Sequence, residues 1–260
     1  MPRVYAVKYA ERDARRGEHF LGGDPHDAPM PMDYFVWAVV GDDETWVVDT
    51  GFGTLDATRR NRRLLRTAAE ALATIGVDAH AVTDVILTHA HYDHAGGLQH
   101  FPAARFHVQE REVAFATGRP MTEPAQAHGF TADHVAALVH HVHAGRVVFH
   151  DGDEELAPGL SVHLLGGHTD GMQVVRVDTG DGALVLASDS THYYENFETG
   201  RPFPIVYDVD AMIAGWTTLR ALASDEDAIV PGHDPLVLAR YPTAAPDLGG
   251  VAVRLDTGRC

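Results

Sequence analysis

The chain has 260 residues, of which 45% are hydrophobic, and its formal net charge is −17. This is enough to bury a sizeable core, and it predicts one α/β domain over residues 1–260. Because such an acidic surface repels phosphate backbones, nucleic acid is not expected as a partner. No apolar run is long enough for a membrane span or a secretory signal. Cys260 is the only cysteine, which excludes an internal disulfide framework and favours a cytoplasmic location.

In the first half of the chain, apolar patterning and turn residues predict strands at residues 4–9, 34–40, 45–49, 84–88 and 105–109. A helix is predicted over residues 55–75 and ended by Gly76. Its arginines would form a solvated basic face: Arg59, Arg60, Arg62, Arg63 and Arg66. The polar stretch at 110–131 is interpreted either as a lid or as a plain surface loop.

In the second half of the chain, strands and helices alternate less regularly. Strands are predicted at residues 147–150, 160–165, 173–178, 183–188 and 228–230, with helices at 132–141 and 209–223. Because strands and helices do not follow a strict βαβ order, two sheets covered by helices suit the pattern better than one doubly wound sheet.

The segment T-H-A-H-Y-D-H-A-G-G at residues 88–97 follows a short apolar run and carries three imidazoles and a carboxylate. Alternate residues of an extended chain share a side, so His89 and His91 can face one ion. Asp93 and His94 lie beyond a turn and can reach a second ion. Such ligands suit zinc, and also manganese, iron or cobalt. The sequence therefore predicts a metal site here.

This motif resembles the signature of the metallo-β-lactamase superfamily, whose members share an αββα sandwich with the metal centre at one edge. The later parts of the family pattern are present as G-G-H-T at 166–169, S-D-S at 188–190 and P-G-H-D at 231–234. The resemblance implies a dinuclear centre. It would place His89, His91 and His168 on one metal, Asp93, His94 and His233 on the other, and Asp189 between them.

Within the superfamily, the chain is most similar to the N-acyl-homoserine lactonase group. The V-D-T-G turn at 48–51, the long interval from His94 to His168 and the segment Y-E-N-F-E at 194–198 carry this resemblance. It implies opening of a lactone ring by a metal-bridging hydroxide, with two divalent ions, preferably Zn²⁺. That group commonly has a tyrosine three residues after the bridging aspartate, where this chain has His192 followed by Tyr193. We therefore expect Asp93, His192 and Tyr193 to take part in catalysis.

Other functions remain open at this point. A thioesterase of the glyoxalase II type, a phosphodiesterase or an arylsulfatase would use the same centre, and a mono-iron sulfur dioxygenase would use part of it. The expected partner is a small-molecule substrate, and the chain would be a monomer or a homodimer. Two further sets have alternative interpretations: His140, His141 and His143 as an accessory metal site or a solvated helix end, and Met30, Met32, Phe35 and Trp37 as an acyl pocket or core.

Overall fold

The computed structural model describes residues 1–26 and 28–259, so Cys260 lies outside the described residues. Two mixed β-sheets pack face to face and helices flank them. The strands of the first sheet are β1 (Arg3–Arg12), β2 (Met32–Val40), β3 (Thr45–Val48), β4 (Arg63–Leu64), β5 (Asp84–Ile86), β6 (Arg105–Gln109), β7 (Val147–His150) and β13 (Ala252–Arg254). Those of the second sheet are β8 (Glu154–Ala157), β9 (Leu160–Leu164), β10 (Gln173–Thr179), β11 (Gly182–Ser188) and β12 (Ile229–Pro231).

The order in the first sheet is β13-β1-β2-β3-β5-β6-β7, with β4 paired to β1, and in the second it is β12-β11-β10-β9-β8. The helices of the described chain are α1 (Thr54–Arg60), α2 (Ala68–Thr74), α3 (Tyr92–Ala95), α4 (Glu110–Thr117), α5 (Pro124–Ala127), α6 (Ala132–His143), α7 (Tyr194–Thr199), α8 (Val209–Leu222) and α9 (Leu236–Arg240). The predicted α/β class with two helix-covered sheets is therefore confirmed.

Strand β2 shows why the sheets stack. Nearly all of its residues are buried, and alternate side chains point to opposite faces. Tyr34 and Val36 join the core beneath the helices, whereas Phe35 and Trp37 join the core between the sheets. A strand that is apolar on both faces must be covered on both, which the second sheet and the helices achieve.

The single helix predicted over residues 55–75 is wrong. Helix α1 ends at Arg60. The next residue, Asn61, has a left-handed φ of 52°, and the chain then forms β4 against β1. Helix α2 starts afresh at Thr67, whose side chain caps the backbone N–H of Glu70 while Glu70 bonds back to Thr67. The apolar periodicity continues across this break, but the left-handed residue ends the first helix and the capping box begins the second. Gly76 has the expected positive φ of 79° just beyond α2.

The remaining predicted elements are observed with small shifts at their ends, and short elements such as β4, β8 and β13 were missed. The stretch 110–131 is mostly helical, with α4, a 3-10 turn at Arg119–Thr122 and α5. Across the described residues, no helix combines the length and apolar character that crossing a membrane requires.

Strand direction brings the candidate ligands together. Strands β3 and β5 run parallel, as do β11 and β12. The segments that follow these strands begin at Asp49, Leu87, Asp189 and Gly232. The carboxyl ends of parallel strands meet at one edge, where loops held by a rigid scaffold commonly carry function.

Candidate metal centre

Asp189 lies at the middle of the site. Its Oδ2 is 3.3 Å from Nε2 of His168 and 3.9 Å from Nε2 of His89. Its Oδ1 is 3.0 Å from Nε2 of His233 and 3.3 Å from Nε2 of His94. One carboxylate oxygen thus faces each set of histidines.

The donor atoms form compact groups. In each of the following, all ligand atoms lie within 4.8 Å of one another: His89, His91, His168 and Asp189; Asp93, His94 and His233; Asp189, His192 and His233. All of these side chains are buried. The structure therefore brings together every residue that the sequence predicted as a metal ligand.

Hydrogen bonds orient three of the imidazoles. Nδ1 of His94 donates to Asp49 at 2.7 Å, Nδ1 of His168 to the Ile205 carbonyl at 2.8 Å, and Nδ1 of His233 to the Asp33 carbonyl at 2.9 Å. With the proton held on Nδ1, the lone pair on Nε2 points into the site. Such outer partners are typical of metal-ligating histidines, because they fix both tautomer and ring orientation.

Unpaired polar atoms are a second reason to expect a metal at these residues. Nε2 of His89, Nε2 of His94 and Oδ1 of Asp189 are buried without a hydrogen-bond partner among the described residues. An unsatisfied buried polar atom costs about 1–3 kcal/mol, so three at one point require an explanation. A divalent cation would satisfy all three. Burial lowers the pKa of His168 to about 3, which keeps it as the neutral imidazole that binds metals.

Two residues beside the ligands have strained backbone. Asp49 and Ser188 have φ values of 64° and 44°, a region that side chains other than glycine rarely adopt. Asp49 accepts the backbone N–H of Thr88 at 2.8 Å as well as the Nδ1–H of His94, and Ser188 directly precedes Asp189. Strain of this kind persists where the surroundings impose it, and here it aims His94 and Asp189. Asp49 was not predicted as a functional residue, although a carboxylate directly after a buried strand was a usable signal.

His192 and Tyr193 differ in placement. Nε2 of His192 is 3.0 Å from Oδ2 of Asp189, and its ring stacks on Phe203 with centroids 3.6 Å apart. The Tyr193 hydroxyl instead lies 3.1 Å from Nε2 of His19 and donates to the Pro31 carbonyl at 3.1 Å. Of the two, only His192 lines the pocket over the ligands.

That pocket is narrow, and its outer wall is polar. Its other lining residues include Arg12, Met32, Tyr34, Arg60, Arg62, Tyr92, His128, Gly129, Phe203 and Ile205. A Cβ on Gly129 would lie 2.4 Å from Nε2 of His91, so only glycine allows the chain to pass this close. The 128–130 segment of the stretch that was predicted as a lid or loop therefore forms a wall of the pocket.

Glu112 is a further residue that sequence reasoning missed. It is fully buried and accepts hydrogen bonds from the backbone N–H of Ala90 at 2.8 Å, the Thr169 hydroxyl at 2.6 Å and the backbone N–H of Gly171 at 3.2 Å. Burial raises its pKa to about 7, and the three donors limit the rise. No sequence signal distinguished it from its neighbours in a polar stretch.

The residues considered for an acyl pocket or an accessory metal site mostly lie away from this centre. Phe35 and Trp37 lie in the core between the sheets, and of the four residues considered for an acyl pocket only Met32 lines the pocket. Within the described chain, no metal-capable group contains His140, His141 or His143. His141 packs on Phe106, with ring centroids 4.9 Å apart.

The fold and this donor set define a metal-dependent hydrolase, and comparisons with known proteins agree. The sequence profile of the metallo-beta-lactamase superfamily matches residues 30–233. The chain therefore belongs to that superfamily, as the H-A-H-Y-D-H motif predicted.

Several relatives are similar over much of the chain. A probable metallo-hydrolase of Mycobacterium tuberculosis is 26% identical over 223 residues, which cover 78% of this chain and 72% of the relative. An N-acyl homoserine lactonase of Bacillus thuringiensis is 27% identical over 167 residues, 63% of this chain and 60% of the relative. The crystal structure of a quorum-quenching N-acyl homoserine lactone lactonase superimposes with a TM-score of 0.74 at 20% identity, covering 89% of this chain and 92% of the other.

Proposed function

We propose that this protein is a dinuclear-metal lactonase that hydrolyses the cyclic ester bond of a small molecule. The observation that carries the proposal is the position of Asp189, whose two carboxylate oxygens face different groups of buried histidines. The similarity to lactonases supports the choice of substrate class.

The proposed ligands divide into two sets around Asp189. His89, His91 and His168 would hold one ion, Asp93, His94 and His233 the other, and Asp189 would serve both. Zn²⁺ is the preferred ion, because imidazole and carboxylate are its usual ligands at catalytic sites. Two such cations would lower the pKa of a shared water and polarise the substrate carbonyl.

The chain's own residues would orient the substrate and exclude water. Burial lowers the pKa of His192 to about 4, so this imidazole is neutral at pH 7 and acts by hydrogen bonding rather than by giving up a proton. Its stacking on Phe203 fixes the ring beside Asp189, and its Nε2–H, 3.0 Å from Oδ2 of Asp189, would be shared with a substrate oxygen on which negative charge develops. Asp93 remains our proposed carrier of the proton that the leaving alkoxide takes up. Tyr193 is proposed to support the loop, because its hydroxyl bonds to Pro31 and His19.

Hydrolysis of a substrate panel tests the proposal. Zinc-loaded and manganese-loaded protein is incubated at pH 7.5 with lactones, thioesters, phosphodiesters and an aryl sulfate, and proton release is recorded. We expect turnover of lactones that a chelator abolishes and that added metal restores. The proposal also requires about two metal ions per chain by elemental analysis. If chelator-sensitive activity is found only on a thioester or a phosphodiester, the substrate assignment changes to that class. One iron ion per chain together with oxygen consumption would show a dioxygenase instead of a hydrolase.

A further inference from the structure

The mouth of the pocket carries positive charge, although the chain as a whole is strongly acidic. Arg12, Arg60 and Arg62 all line it, and the net charge of the chain is −17. Arg60 and Arg62 were predicted to belong to a solvated basic face. That prediction is wrong for these two, because both are partly buried and turned toward Tyr92.

The bonds of Arg60 have a structural role. Its guanidinium lies 3.9 Å from the ring centroid of Tyr92 and donates to the backbone carbonyls of His128 at 2.8 Å and Phe130 at 3.1 Å. These contacts hold the 128–130 wall against the pocket. Its hydrogen-bonding capacity is largely used within the protein.

Arg62 is different. Its Nε donates to the Tyr92 hydroxyl at 3.1 Å and its Nη1 to the Arg60 carbonyl at 2.5 Å. Among the described residues no carboxylate forms an ion pair with Arg62, and its Nη2 has no hydrogen-bond acceptor. A partly buried cation with no carboxylate in direct contact is costly, and in a substrate pocket an anionic ligand is the natural partner.

Arg12 and Tyr34 extend this site. Arg12, the last residue of β1, has a side chain only 15% exposed, and its Nη2 forms an ion pair with the exposed carboxylate of Glu18 at 2.6 Å. The Tyr34 hydroxyl accepts from the Tyr92 hydroxyl at 3.4 Å, which leaves its own proton available. Arg12, Tyr34 and Arg62 all line the same pocket, so the two guanidinium groups and this hydroxyl face one space.

This site is adjacent to the reaction centre. The Tyr34 ring packs edge-on against His233, with centroids 5.0 Å apart. The carboxylates that line the pocket, Asp93 and Asp189, are proposed metal ligands, so bound cations would offset their charge. Within the part of the chain that the structure describes, the positive charge of Arg62 then has no paired carboxylate at the mouth of the pocket, whereas that of Arg12 is shared with Glu18.

We propose that Arg12, Arg62 and the Tyr34 hydroxyl form a subsite for an anionic group of the substrate, so that the protein prefers an ester or lactone that carries a carboxylate or phosphate near the scissile bond. This inference rests on the proposed function for the reaction at the metals. In that reaction water adds to the lactone, the acyl C–O bond breaks, and a carboxylate, an alcohol and one proton result.

A matched pair of substrates tests the subsite. 5-Oxotetrahydrofuran-2-carboxylate carries the anion, and its carboxamide has nearly the same shape without the charge. The kcat/KM ratio of the carboxylate over the carboxamide is measured for the wild type and for Arg62→Met and Arg12→Met. We expect a wild-type preference for the carboxylate, and a fall of at least about tenfold in each variant, the effect of one charge-assisted hydrogen bond.

Arg59→Met is the matched control, because Arg59 is exposed on α1 beside Arg60 and does not line the pocket. It removes the same charge and should retain the wild-type ratio. Metal content is measured for every variant, so that a disturbed centre is recognised. Equal ratios in Arg62→Met, Arg12→Met and Arg59→Met, or a wild type that does not prefer the carboxylate, would overturn the subsite.

Calorimetric binding separates this inference from the proposed function. 2-Hydroxyglutarate, the product of the carboxylate lactone, is compared with 4-hydroxybutyrate, which lacks the second carboxylate. If no lactone is hydrolysed but 2-hydroxyglutarate binds more tightly in an Arg62-dependent way, the subsite stands and the lactonase assignment fails. If both lactones are hydrolysed equally, the lactonase stands and the subsite fails. Stronger competition by inorganic phosphate than by acetate would support the subsite and identify phosphate as its anion.

Discussion

Several residues around the metal centre have a costly conformation or environment. Asp49 and Ser188 have left-handed backbone, and donor atoms of His89 and Asp189 are buried without partners. Each costs on the order of 1–3 kcal/mol if nothing compensates. Because these residues surround one point, a single bound metal cluster would compensate for them together.

His192 carries the first prediction at this scale. If its hydrogen bond stabilises the developing oxyanion, His192→Ala should lower kcat by about 10²–10³, the usual effect of losing such a donor. His192→Tyr should restore part of the rate, because a phenol at this position also donates. Metal content by elemental analysis should stay at the wild-type value in both variants. An unchanged kcat in His192→Ala would remove this residue from the reaction.

Among the elements, α4 links two loops that carry ligands. Through Glu112 it bonds to Ala90, which lies between His89 and His91, and to Thr169, which follows His168. The ligands of one proposed metal therefore depend on a helix that supplies none of them. Outer contacts of this kind orient ligands and can change metal affinity by 10- to 100-fold.

Substitution of Glu112 tests this link. In Glu112→Gln one oxygen becomes an NH₂ group that cannot accept, so at least one buried donor loses its partner. We expect zinc affinity to fall about 10-fold or more, and the free energy of unfolding to fall by about 1–3 kcal/mol. Competition with a chromogenic chelator and urea unfolding measure the two effects. Glu110→Gln, at an exposed position of the same helix, is the control, and equal behaviour of the two variants would contradict the proposed link.

At the scale of the whole molecule, the sequence predicts the fold class and the ligand loops, but not the wall that faces the substrate. The H-A-H-Y-D-H motif lies within six residues and is chemically specific. The apolar run just before it predicts a buried strand, which places the motif at the end of that strand. Arg62 and Glu112 act through contacts with residues distant in the chain, at Tyr92 and Thr169, which no short pattern encodes. The break at Asn61 was hidden because apolar periodicity continues across it. The cytoplasmic location, the single domain and the oligomeric state stay predictions.

The burial of many histidines should make the whole molecule sensitive to acid, and His19 illustrates the sign. Burial lowers its folded-state pKa to about 4, whereas an unfolded chain titrates near 6.5. Below pH 6.5 the unfolded state therefore takes up the proton first, and the stability that neutral His19 provides is lost progressively toward pH 4. Between pH 7.5 and 5.0 this loss amounts to about 2 kcal/mol. His19→Gln does not titrate, so its urea-unfolding free energy should fall by about 2 kcal/mol less than that of the wild type at matched metal content. Parallel pH profiles for the two proteins would show that His19 titrates normally when folded.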